Sequence, residues 1–236
     1  MRADLYVAKV LDISRNKANE LIKSKQVLLN GEVLDKPSFE IVDDEIENKI
    51  EVVSEIYVSR AALKLKTYLA TLDLNLCEKT AIDVGSAAGG FIQILLENGV
   101  KSVVGVDVGS NQINQKIKDN ERVEIYENSD IREFKINKKF EILTCDVSFI
   151  SLKLILKAMT ELFSEYMILL FKPQFEVGKE IKRDKKGVVK DAKAIKQAMS
   201  SFELEAAKLG LMMLDKKECE IGGKEGNSEY FYLFKK

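Results

Sequence analysis

Histidine is missing from all 236 residues. Its absence removes the side chain most used as a general base, as the partner of a catalytic nucleophile and as a transition-metal ligand. Any chemistry has to run on Asp, Glu, Lys, Ser or a cofactor, and no metal site is expected. Cysteine is scarce, and Cys77, Cys145 and Cys219 are odd in number and far apart. This excludes a disulfide framework and a Cys-x-x-Cys zinc site and points to a reducing, cytoplasmic setting. Long apolar runs are absent too: stretches such as Tyr166 to Phe171 stop well short of the roughly 18 residues a spanning helix requires. Met1 to Lys17 alternates charge with apolar character instead of building a signal-peptide core. Neither export nor membrane insertion is expected. An excess of charge is also lacking, with 37 basic residues against 38 acidic ones, so any nucleic-acid contact has to come from local clusters.

What is present suits one full domain plus a small one: 46% of the residues are hydrophobic and 32% charged. Residues 1–52 read as the small domain, 53–59 as a linker and 60–236 as the larger domain. The small domain is α+β, with helices predicted at Asp4–Ile13 and, behind a Ser14 N-cap, at Arg15–Ser24. Asn30-Gly31 between Val27-Leu28-Leu29 and Glu32-Val33-Leu34 is a two-residue hairpin signal. Lys9, Arg15, Lys17, Lys23 and Lys25 crowd the helical pair, whereas Asp43, Asp44, Glu45, Glu47 and Glu51 follow it. On charge alone this describes a solvated helix surface as well as a binding face.

The pattern Arg2-x-Asp4-x-Tyr6-Val7, then Ser14-Arg15-x-Lys17-Ala18, then Leu21-Ile22-Lys23 running to Asn30-Gly31-Glu32-Val33 resembles the small RNA-binding domain of ribosomal protein S-four, pseudouridine synthases and heat-shock ribosome factors. The resemblance implies that Arg2, Arg15, Lys17, Lys23 and Lys25 contact phosphates of folded RNA. Such contacts position a protein and supply salt-dependent affinity, with little sequence information.

Beyond Val52, apolar strands alternate with amphipathic helices. Strands are predicted at Thr80–Val84, Ser102–Asp107, Val123–Tyr126, Glu141–Asp146, Tyr166–Phe171, Met212–Glu218 and Glu229–Phe234, and helices at Arg60–Leu72, Phe91–Asn98, Leu152–Phe163 and Ala192–Leu209. This alternation implies an α/β, Rossmann-like, doubly wound sheet with antiparallel strands at its end. Asp83-Val84-Gly85-Ser86-Ala87-Ala88-Gly89-Gly90-Phe91 links an apolar strand to an apolar helix, the setting of a ligand-binding glycine loop. A dinucleotide loop would place glycine where Ala87 stands, and Asp83 would repel a phosphate. The loop therefore suits S-adenosylmethionine, whose methionyl part is cationic. Gly85, Ser86, Gly89, Gly90 and Phe91 line this expected site, Asp107 is placed to accept from the ribose hydroxyls, and Asp130 to accept from the adenine amino group.

Tyr57-Val58-Ser59-Arg60-Ala61-Ala62-Leu63-Lys64, the glycine loop, Cys145-Asp146-Val147-Ser148-Phe149-Ile150-Ser151 and Phe171-Lys172-Pro173-Gln174-Phe175-Glu176 together look like the TlyA family, historically called haemolysin A, with its FtsJ-like methyltransferase domain. The resemblance covers both domains in order. It implies 2′-O-methylation of cytidine in ribosomal RNA by a tetrad of Lys64, Asp146, Lys172 and Glu229, with Asp146 also touching the cofactor. A ribose hydroxyl must lose its proton as it attacks, and without histidine a lysine is the available base. Lys172, ending a buried strand, is assigned that role, and Lys64 sits at the border of its helix's apolar stripe while Lys66 faces water. Departures from the family pattern fall at Ser86-Ala87-Ala88, at Asp130 and at Ala61-Ala62.

The basic segment Lys179 to Gly187 is either a solvated loop or a phosphate clamp over the cleft, through Lys182 and Arg183, with Arg60 a further RNA contact. Two rival functions remain: a membrane-lytic toxin, for which no lytic segment is evident, and a ribosome-assembly factor with vestigial activity. The short termini resemble those of members acting on the large subunit alone, so a monomeric enzyme of the large ribosomal subunit is expected.

Overall fold

Ala3 and Val7 lie one helical turn apart and are fully buried, which turns the start of the chain into the helix α1 (Ala3–Leu11). It ends two residues before the sequence suggests, because Asp12 takes a left-handed φ of 53° and donates its N–H to Ala8 O. Ser14 accepts from Lys17 N and starts α2 (Arg15–Lys23). Asn30 and Gly31 both have positive φ, as the tight turn between β1 (Val27–Leu29) and β2 (Glu32–Val33) requires. A strand that the sequence does not announce, β3 (Ile50–Val52), pairs antiparallel on the other side of β1. Residues Met1–Ile56 form this first compact unit. The computed structural model describes residues 1–41, 48–52, 57–223 and 225–236. Asp43, Asp44, Glu45 and Glu47, with 53–56 of the expected linker, lie outside them.

The second unit is Tyr57–Lys236. Tyr57, Val58 and Ser59, assigned to the linker by sequence, pack within it: Tyr57 is buried and Val58 N donates to Gln93 Oε1 at 2.9 Å. Five strands run parallel, β4 (Thr80–Val84), β5 (Ser102–Val106), β6 (Val123–Tyr126), β7 (Phe140–Cys145) and β8 (Phe163–Phe171). β9 (Met212–Glu218) and β10 (Tyr230–Lys235) complete the order β6-β5-β4-β7-β8-β10-β9, with β10 antiparallel to both β8 and β9. The chain reverses its direction of travel across the sheet at β4, which opens the crevice where ligands bind in such folds. α3 (Arg60–Leu69) and α4 (Gly90–Glu97) cover one face, while α6 (Leu152–Leu162) and α8 (Ala192–Lys208) cover the other. The single turns α5 (Gln115–Lys118) and α7 (Pro173–Glu176) follow β5 and β8. Among the described residues, no helix is long and apolar enough to cross a membrane.

Alternation along β10 divides the core: Phe231 and Leu233 pack with α3 and α4, Tyr232 and Phe234 with α6 and α8. Phe202 of α8 meets the Phe171 and Tyr232 rings with centroids at 5.4 and 5.2 Å. Because this ring is fully buried, Phe202→Ala is expected to cost about 3–5 kcal/mol of stability. Urea unfolding measures it, and a loss below about 1 kcal/mol would mean that this face of the core collapses around the gap.

Candidate active site

Parallel strands bring their carboxyl ends to one edge, so residues far apart in sequence converge there. Asp83 lies within β4, Asp107 just after β5, Asp146 just after β7 and Lys172 just after β8. The loop after β4 holds Gly85 at φ +82° and Gly89 at φ +88°. A Cβ on Gly85 would stand 2.8 Å from Asp146 O, so only glycine lets the loop lie against the end of β7. Gly89 is the N-cap of α4 and Gly90 its first residue, while Phe91 is buried against the α3 side. Ser86 Oγ donates to Asp83 O at 3.0 Å.

Asp107 Oδ2 accepts from Ala87 N at 2.7 Å and its Oδ1 from Gly109 N at 2.6 Å. The carboxylate is thereby oriented by backbone donors, with lone pairs left over on both oxygens. Asp130 is gripped by Arg132, whose Nη2 reaches Oδ2 at 2.5 Å, and this guanidinium holds the carboxyl down at about 2. The expected adenine contact is therefore an ion-paired carboxylate, an arrangement that no periodicity announces. Gly85, Asp107, Asp130, Asp146 and Phe149 all border one cavity of about 590 Å³. Asp83, Ser86, Gly90 and Phe91 border a smaller one of about 190 Å³.

Asp83 is only 1% exposed, and Thr144 Oγ1 donates to it at 2.6 Å. Loss of water pushes this carboxyl up to about 7, against the pull of Thr144 and Ser86 and with a further push from Asp146 and Asp107.

Lys64 and Lys172 are each 8% exposed. Lys64 Nζ lies 2.6 Å from Glu229 Oε2, and Lys172 Nζ lies 2.6 Å from Asp146 Oδ1. Lys172 also donates to Ser148 Oγ at 3.0 Å. Buried ammonium groups persist when paired in this way. Lys64, Lys172 and Glu229 share a third cavity, of about 520 Å³, and the pairing of Lys172 joins Asp146 to them. The four residues singled out from the sequence thus converge. Lys66, expected in water, instead lies over the Tyr57 ring with Nζ at 5.1 Å from its centroid, because Tyr57 belongs to this unit and covers that side of α3.

Sequence reasoning did not single out Phe149. It is 90% exposed with φ +65° and its ring stands 5.1 Å from that of Phe175. Phe149 and Ser148 border both the 590 Å³ and the 520 Å³ cavities. A bulky residue in the left-handed region is an outlier that its surroundings must enforce, and that signal exists only in the fold.

The basic residues fall into two groups. In the first unit, Asp4 is buried and gathers Arg2, Arg15 and Asn19, with Arg15 Nε at 2.9 Å. Arg2 and Arg15 hold Asp4 well below the usual carboxylate range. Lys17 pairs with Glu20, and Lys23 and Lys25 are exposed. In the second unit, Arg60 is exposed and donates to Gly222 O at 3.3 Å. Lys182 is exposed, whereas Arg183 turns inward and donates to Ile181 O at 2.8 Å and Gln174 O at 3.0 Å, tying its loop to α7. Asn227 Oδ1 accepts from Val189 N and anchors the other end of that loop.

Between about pH 4, where an unfolded aspartate titrates, and about 7, folded Asp83 keeps a proton that the unfolded chain has released. Stability from this group is therefore highest below that window and is lost as pH rises through it. Asp83→Asn is expected to gain melting temperature over the wild-type protein progressively from pH 4 to 7, with a constant difference above. Parallel melting curves across that range would remove the ionisation penalty.

The FtsJ-like methyltransferase family matches residues 57–236, and the S4 domain matches residues 1–45. The chain is 49% identical to the 23S rRNA (cytidine-2′-O)-methyltransferase TlyA of Campylobacter jejuni, over 99% of each chain. It is 31% identical to the 16S/23S rRNA (cytidine-2′-O)-methyltransferase TlyA of Mycobacterium tuberculosis, over 95% of this chain and 85% of that one. A solved structure of a putative hemolysin from Streptococcus thermophilus superposes with a TM-score of 0.74 at 32% identity, covering 100% of this chain and 88% of the other.

Proposed function

From the premise that this chain belongs to the FtsJ-like methyltransferases, with an S4 domain ahead of the catalytic one, we propose that it transfers a methyl group from S-adenosylmethionine to the ribose 2′-hydroxyl of a cytidine in ribosomal RNA. The observation that carries this reading is the buried Lys172–Asp146 pair with its bond to Ser148, standing where the 590, 520 and 190 Å³ cavities share residues.

The residues of the 590 and 190 Å³ cavities fit that cofactor. Asp107, with lone pairs left over, Asp130 and Asp146, each beside a basic side chain, and Asp83 in the adjoining smaller cavity offer oxygens to a ligand bearing hydroxyls and amino groups. A volume of about 590 Å³ lies within the roughly 300–1,000 Å³ of small-molecule sites. Asp107 would hold the ribose hydroxyls, Asp130 the adenine amino group, and Asp83 with the 85–90 loop the methionyl end. When bound, the cofactor supplies an electrophilic methyl group on a sulfonium centre.

Lys172, once its own proton has passed to solvent, would take the proton of the ribose hydroxyl as that oxygen accepts the methyl group from the sulfonium centre. One positive charge stands on sulfur before the step and on Lys172 after it. Asp146 at 2.6 Å receives that new ammonium in an ion pair, so the proton transfer ends in a compensated charge. Lys64, fixed by Glu229, borders the same cavity and orients the attacking hydroxyl. The exposed face of Phe149 beside Phe175 suits stacking with an unstacked base. Lys186, which borders that cavity, and exposed Lys182 and Lys185 of the same loop supply phosphate contacts, and Arg2 and Arg15, held by Asp4, do so on the S4 unit.

We further assign the large subunit as the partner, the specificity in the name of the relative that is 49% identical, and a monomer acting in the cytoplasm. Labelled methyl transfer to separated ribosomal subunits tests the reading. Label is expected in 2′-O-methylcytidine of the large-subunit RNA, and no transfer to either subunit by the wild-type protein would overturn it. Lys172→Ala is expected to lower kcat by about 10²–10⁴-fold in a protein whose cofactor binding is followed separately by calorimetry. Arg15→Ala is expected to weaken RNA binding at every sequence alike and to flatten the salt dependence of log Kd by about one unit. An unchanged slope would take Arg15 off the phosphate surface.

A further inference from the structure

Glu176 belongs to none of the groups considered so far, yet it joins the two loops that carry the chemistry. It is the last residue of the one-turn helix α7, four residues beyond Lys172. Its Oε2 accepts from Ser151 Oγ at 2.6 Å, and its Oε1 accepts from Leu152 N at 2.7 Å. Ser151 is the N-cap of α6 and Leu152 its first residue. The carboxylate therefore sits on the positive end of an 11-residue helix and satisfies a backbone N–H that the helix itself leaves open. That helix end is anchored in the core by Leu152, Ile155, Leu156 and Met159.

The segment between Asp146 and Ser151 is consequently held at both ends. At its start, Lys172 grips Asp146 and Ser148. At its end, Glu176 grips Ser151 and Leu152. Both grips come from the loop that follows β8. Between them stands Phe149, whose left-handed backbone is strained and persists only where the surroundings over-determine it. Phe175, next to Glu176, meets the Phe149 ring.

We propose that Glu176 is a positioning residue for methyl transfer, a clasp that locks the 147–151 loop to α7 and thereby fixes Ser148 and Phe149 relative to Lys172. It touches neither cofactor nor substrate, and it acts through the residues that do. Charge is not the essence of the clasp. A glutamine can accept from Leu152 N through Oε1 and donate to the rotated Ser151 hydroxyl through Nε2, whereas an alanine can do neither.

This inference rests on the reading that the 520 Å³ cavity receives the target nucleotide, and the test separates the two. Wild-type transfer to ribosomal RNA checks that reading, and amide hydrogen exchange of residues 147–151 reports on the clasp without any substrate. Glu176→Ala is expected to lose about tenfold or more in kcat and to speed exchange in 147–151. Glu176→Gln is expected to recover most of the kcat and the slow exchange. Ser151→Ala, which removes one of the two bonds, should move both readouts in the same direction and serves if Glu176→Ala fails to fold. Wild-type kcat and exchange in a folded Glu176→Ala protein, or a Glu176→Gln protein no better than the alanine variant, would overturn the proposal.

Discussion

The ion pair between Lys172 and Asp146 is the contact around which the catalytic edge is arranged. Taking one such charge out of water alone costs several kcal/mol, and removing either partner strands the other. The pair can exist only because β7 and β8 are parallel neighbours, with Cys145 opposite Leu169, so that both loops leave the sheet at the same height. Once these loops are held together, Ser148 has a fixed donor, and the walls of two cavities meet along them. Lys64 and Glu229 repeat the device between α3 and the start of β10. A protein without histidine thus keeps two lysines inside its core by giving each its own carboxylate.

The strands of the large unit, the glycine loop and the four convergent side chains were legible in the sequence because each leaves a local mark: an apolar run, a turn residue, or a charged residue where an apolar run stops. What was illegible depends on contacts across the fold. β3 is three residues long and carries no alternation of its own, so it becomes a strand only when β1 offers an edge. Arg183 was expected in a phosphate clamp, and the fold turns it onto backbone carbonyls, while Arg132, which has no mark of its own in the sequence, pairs with Asp130. Lys66 follows the helical period into what looks like solvent, and Tyr57 covers that direction. Asp4 resembles an ordinary first-turn acid, yet it is buried and organises two arginines.

Two of the residues with left-handed backbone stand at the site itself. Ala87 at φ +44° and Phe149 at φ +65° carry side chains in a region that favours glycine. Both flank the 590 Å³ cavity. The Ala87 N–H uses that geometry to reach Asp107, so the strained residue is also the one that orients an acidic ligand group. The glycine loop, tight against the end of β7, leaves little room for relaxation on binding.

The third strand of the small unit has a consequence for its autonomy. The S4 match ends at residue 45, but β1 is a central strand only because Ile50, Glu51 and Val52 pair with Leu29, Leu28 and Val27. A fragment cut at the limit of the match would leave β1 as an open edge, with one side of its hydrogen bonding exposed to other chains. The unit's capacity to fold and remain dispersed by itself therefore extends to Val52, into the stretch that leads to its neighbour.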